Sequence, residues 1–146
     1  MKSDRFTNSD TKSDIRSDMV LRQVADVAEV VYRRTDEVSM GLARAIAREV
    51  RLDQAAPAVP SDVLAAACAA NVRAIFEAIA TGGEFNVAAA TRVGVEGARD
   101  EVPLPSVMEA YRVGFRGVWE IVAAEVASRP CADRDVLRTM TAQLMA

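Results

Sequence analysis

The sequence predicts an all-α, single-domain bundle of about six helices, and three observations carry that expectation. Apolar residues recur at three- and four-residue steps in successive stretches, as one face of an α-helix requires. No alternating run of β-branched and aromatic residues is long enough to form a strand. Breaks fall where helices should stop, at Pro57 and Pro60, at Gly82-Gly83 and at Pro103-Leu104-Pro105.

Residues 1–17, with Asp18 after them, carry four Ser-Asp dipeptides, and Lys2, Arg5, Lys12 and Arg16 balance the four aspartates. Only Phe6 and Ile15 are large and apolar there, too few to offset the entropy of ordering, so a flexible tail is expected. Ser17 or Asp18 is then available as the first N-cap. The first helix is expected over about 18–34, with Val20, Val24, Val27 and Val31 on one face.

Thr35 can cap a second helix, about 36–51, which buries Leu42, Ile46 and Val50. The segment 52–60 is a connection, and Ser61 caps a third helix over about 62–81 with a stripe of Val72, Ile75, Phe76 and Ile79. Gly82 ends it, because glycine tolerates the left-handed cap. A fourth helix is expected over about 87–101, starting at Asn86, a fifth over about 105–129, and a sixth from Asp133 to the last residue. Leu137, Met140, Thr141 and Leu144 keep helical spacing up to Ala146, which suggests a piece of a longer protein cut within a connecting helix.

Composition removes several function classes. With no histidine among 146 residues, imidazole-ligated zinc, imidazole-ligated haem and every nucleophile–histidine pair are excluded, so no metal and no cofactor is expected. A net charge of −3 gives no general attraction to phosphate backbones, so direct nucleic-acid binding is not expected. The longest uncharged apolar run, from Val63 to Val72, falls short of the ~20 residues that a membrane helix needs. No basic-then-apolar signal peptide opens the chain, so a cytoplasmic location is expected, with Cys68 and Cys131 as plain thiols.

The fifth helix is the richest in candidates. It carries Val107, Tyr111, Gly114, Val118, Val122 and Val126 on one side, with Phe115 and Trp119 flanking. The bland reading is a core helix whose rings pack and whose charges pair, Glu109 with Arg112 and Arg116 with Glu120. The functional reading is that Tyr111, Arg112 and Trp119 also border a pocket or partner groove, since amphipathic rings and guanidinium groups favour such surfaces. Gly114 and Gly117 each cost about 1 kcal/mol relative to alanine, which calls for a closely approaching neighbour. The fourth helix, with Ala90, Gly94 and Gly97, is the expected partner at that crossing.

Other constellations read more plainly. Arg44, Arg48 and Arg51 make a basic stripe, ordinarily a solvated face, that could meet an acidic partner. Arg92, Glu96 and Arg99 form a surface ladder. Asn71, in an alanine-rich helix, is expected half-buried with a hydrogen bond across the bundle.

The run Ala98-Arg99, Val102-Pro103-Leu104, Ala110-Tyr111-Arg112-Val113-Gly114 and Trp119 resembles the N-terminal domain of RsbRD-type stress-response co-antagonists. A similar domain precedes the helix-turn-helix of PucR/CdaR-type bacterial transcription regulators. The resemblance covers roughly residues 60–125, and Asn71 falls where the family carries an asparagine. Glu101 and Pro105 depart from its pattern, standing where glycine and a polar residue are usual.

The resemblance implies a non-enzymatic sensory and dimerisation domain over residues 18–146, ahead of a DNA-binding output that this chain lacks. A homodimer is implied, with an unidentified small-molecule effector or protein partner. Asn71, Arg99, Tyr111, Arg112, Phe115 and Trp119 are the candidate contact residues. A stressosome-like scaffold that binds partner proteins is the alternative, and a small enzyme built on a reactive Cys68 is a third reading.

Overall fold

Valine at heptad-like spacing organises the molecule. The computed structural model describes residues 7–50, 59–84, 88, 91, 92, 95, 99, 102–130 and 134–145, with side chains from residue 10 onward. It holds α1 (Thr7–Arg33), α2 (Thr35–Glu49), α3 (Ser61–Thr81), α4 (Leu104–Ala127) and α5 (Arg134–Met145), and no strand among the described residues. Of the helix expected over 87–101, Ala88, Thr91, Arg92, Val95 and Arg99 are helical. The rest of it, including Ala90, Gly94, Glu96 and Gly97, lies outside the described residues, as do Arg51, Asn86, Cys131 and Asp133.

The main core is built from one stripe per helix. Val24, Val27 and Val31 of α1 meet Val38 and Leu42 of α2, Val72 and Phe76 of α3, Val118, Val122 and Val126 of α4, and Val136, Met140 and Leu144 of α5. Phe76 and Met140 are fully enclosed and supply the largest buried volumes. Ile75 and Ile79 are only partly buried and pack on its edge. A smaller cluster, Ile46, Val50 and Val113 with Leu64 and Cys68 around it, ties α2, α3 and α4 together at the other end.

At 21 residues and a mean hydropathy of 1.6 in its most apolar window, α3 is long and apolar enough to cross a membrane by length and composition. Alanine raises that average, which a count of uncharged runs does not register. In the fold α3 packs against α1 and α2, while Arg73 and Glu77 remain exposed.

Three helix starts differ from the sequence expectation. The first helix begins at Thr7, eleven residues before 18, and runs unbroken through Ser17 and Asp18, so neither is a cap. Residues 10–19 are all exposed, as their composition requires. Ser13 and Ser17 continue the heptad register of Val20, Val24, Val27 and Val31, so the buried stripe stops where serine replaces valine. Arg16 fastens this arm to α5 through Asp135 at 2.9 Å.

Thr35 does not cap α2 either. A single residue, Arg34, separates α1 from α2, and the buried Thr35 hydroxyl donates back to the Tyr32 carbonyl. Ser39, also buried, donates to the Thr35 carbonyl at 2.6 Å. Both hydroxyls are therefore satisfied locally, which removes the penalty of enclosing them. Pro60 and Pro103, not serine or threonine, stand at the N-caps of α3 and α4, with no side-chain cap bond. Proline loses nothing there, because the first N–H groups of a helix lack partners anyway. At the other end of α3, Gly82 adopts φ 66° as expected.

The glycines of α4 meet α2. A Cβ on Gly117 would lie 2.6 Å from Leu42 Cδ2, and one on Gly114 would lie 3.6 Å from Ile46 Cδ1. The crossing expected with Ala90, Gly94 and Gly97 falls on residues outside the described ones; among the described residues, leucine and isoleucine tips of α2 meet the two glycines. The two sites should respond oppositely in urea denaturation. Gly114→Ala should raise stability by about 0.5–1 kcal/mol through helix propensity. Gly117→Val should lower it by about 1–3 kcal/mol, because Leu42 is buried and has nowhere to go.

Candidate functional site

A strip along α4 starts outside the core and ends inside it. Helical spacing places Leu104, Met108, Tyr111, Phe115 and Trp119 on one side, followed by Val122 and Val126. The last two are buried in the main core. At the other end Leu104 is 70% exposed and Met108 62% exposed. Tyr111 and Trp119 are each 39% exposed, and Phe115 is partly buried against the core. The strip is apolar throughout; what changes is whether another helix covers it.

Two of the six candidate residues come together. The Asn71 side chain on α3 donates to the Ala67 carbonyl one turn back at 3.1 Å, and its amide stands near the Tyr111 hydroxyl on α4. Burial pushes the Tyr111 phenol above its ordinary value, and the neighbouring Asn71 amide partly opposes that rise. The hydrogen bond of Asn71 thus runs along its own helix, where one across the bundle was expected.

The other four point elsewhere. Arg112 forms a two-bond ion pair with Glu109 one turn back, as the spacing predicts. Hydrogen bonding to that guanidinium holds the Glu109 carboxyl below the usual carboxylate range. Trp119 Nε1 donates to Thr141 Oγ1 of α5 at 3.2 Å. Phe115 packs inward between these two edges. Arg99 is exposed, and nothing among the described residues joins it to the others. Five of the six therefore lie on or beside α4 without lining one pocket, and Arg99 stands apart.

Arg116 pairs with Glu49 of α2 at 2.5 Å, not with Glu120. The close α2–α4 approach brings Glu49 nearer than a residue on the same helix. Sequence spacing could not reveal that partner, nor Thr141 as the acceptor for Trp119. A groove of about 390 Å³ was also missed; it runs along Ala70, Ala74 and Ala78 of α3, with Arg73, Glu77 and Arg92 at its walls. Alanines four residues apart were its signal. No group of three or more metal-ligating side chains occurs among the described residues.

Cys68 sits one turn before Asn71, and burial pushes its thiol up to about 11. That is the reverse of thiolate activation. The native state therefore holds the proton more tightly than the unfolded chain does. The resulting stability is fully present below pH 9, the ordinary thiol value here, and is lost as pH rises towards 11. In a Cys131→Ser background, denaturation at pH 8 and pH 11 should show a loss on the order of 1–2 kcal/mol that Cys68→Ala abolishes. A double-mutant cycle of Asn71→Ala and Tyr111→Phe should give a coupling of about 0.5–1.5 kcal/mol for these neighbouring polar groups.

No curated protein and no solved structure matches the chain. The family described as the RsbT co-antagonist protein rsbRD N-terminal domain matches residues 36–146, from the start of α2 through α5 and including the whole α4 strip. The helix α1 precedes the match. By the extent of that match, the chain belongs to the rsbRD N-terminal domain family.

Proposed function

We propose that this chain is a non-enzymatic sensory and dimerisation module of a bacterial regulator, working in the cytoplasm ahead of a helix-turn-helix output. The observation that carries this reading is the family match over residues 36–146, which makes the domain regulatory in type. The structure supports it with an apolar α4 strip left open at Leu104, Met108 and Tyr111. Open strips of that kind are where a partner or effector gains most by excluding water. The buried thiol of Cys68 and the separation of the candidate residues argue against acid–base or nucleophilic chemistry.

A second reading, a co-antagonist scaffold that binds partner proteins, is favoured by the family's own description. The two readings part over what occupies the α4 strip, a small effector or a protein surface.

Melting-temperature screening against a metabolite library tests the first reading. A ligand at about 100 times its dissociation constant adds about 2.7 kcal/mol of stability. Tyr111→Ala should remove that gain while leaving the helical content unchanged. A partner retrieved by pull-down with no stabilising metabolite supports the scaffold. Turnover of any metabolite that Arg112→Ala abolishes in a folded protein ends both readings.

A further inference from the structure

The outer face of α2 carries a charge pattern that is its own complement. Asp36, Met40, Arg44 and Arg48 follow one another at four-residue steps and are all exposed, as are Glu37 and Gly41 beside them. The first turn is acidic and the last basic. Among the described residues no ion pair engages Arg44 or Arg48, while Asp36 makes only a long 3.4 Å contact to Arg73 with its side chain 92% exposed. Met40 is 50% exposed in the middle of the face, and nothing lies within 4 Å of a Cβ placed on Gly41.

We infer that this face docks on the same face of a second copy, with the two α2 helices antiparallel about a twofold axis near residue 42. The inference rests on the dimerisation half of the function proposed above. In that register Asp36 lies opposite the partner's Arg48, and Met40 lies opposite the aliphatic stem of the partner's Arg44. The twofold repeats each contact, which is the signature of an isologous interface. Gly41 stands beside the axis, where a missing side chain lets the helices approach. Like-facing parallel helices would instead oppose acid to acid and base to base, so the pattern selects the antiparallel arrangement. Exposed ion pairs contribute little singly and are screened by salt, so the association is weak and sensitive to ionic strength.

Sedimentation velocity of the whole chain tests this. The wild-type protein should self-associate at about 0.05 M NaCl and do so at least about tenfold more weakly at 0.5 M. Asp36→Arg and Arg48→Asp should each weaken self-association by about tenfold or more. An equimolar mixture of the two should regain it, because in the mixed pair every facing charge is again opposite. Gly41→Leu should block the approach without changing charge. It also carries the test should a charge reversal unfold the chain. A wild-type protein that stays monomeric at the highest concentration overturns both this inference and the dimerisation reading. Dimers unaffected by these variants, or reversed variants that fail to recombine, overturn the α2 interface alone.

Discussion

The approach of α4 to α2 at Gly114 and Gly117 sets the positions of most of what surrounds it. With no side chain at Gly117, the Leu42 tip sits where a β-carbon would be, and the two helices lie closer than ordinary residues allow. That proximity brings Glu49 within reach of Arg116 and seals Ile46, Val50 and Val113 into the smaller cluster. The cluster in turn holds Cys68 and its neighbour Asn71 at the height of Tyr111. Gly117, which weakens an isolated helix, thus allows a three-helix contact that a larger residue there would crowd.

A helix that serves two cores has an uneven surface. Val118, Val122 and Val126 belong to the main core and Val113 to the smaller one, leaving the first turns of α4 beyond both. The family match spans the whole of α4, so the open end at Leu104 and Met108 belongs to the regulatory domain proper. It is one stretch of the domain with apolar surface still to bury.

Much of the fold was legible because burial follows periodicity. The stripes Val24–Val27–Val31, Leu42–Ile46–Val50 and Val72–Phe76 are buried as their spacing required. Partners were legible only within a helix, which is why Glu109–Arg112 was found and Arg116–Glu49 was not. The glycines announced a close approach without naming the neighbour, since any helix with a flexible tip can fill the gap. Caps misled at Thr35 because its hydroxyl has a better acceptor in the preceding helix, one residue away from the corner. The early start of α1 was missed because nothing in the Ser-Asp repeats buries anything. Of the candidate site, the half-burial of Asn71 was legible, but its hydrogen bond turned back to Ala67 in its own helix; the outward turn of Arg112 and Trp119 was set by Glu109 and Thr141.

The change from valine to serine along α1 divides one continuous helix into two kinetic regimes. From Val24 to Val31 each backbone amide is shielded by packed neighbours and exchanges its proton with water only when the bundle opens. Between residues 10 and 19 the same ladder of hydrogen bonds stands in solvent, so exchange follows unwinding from the end. The Arg16–Asp135 bridge joins this arm to α5, which makes the arm a local reporter of how firmly α5 is seated.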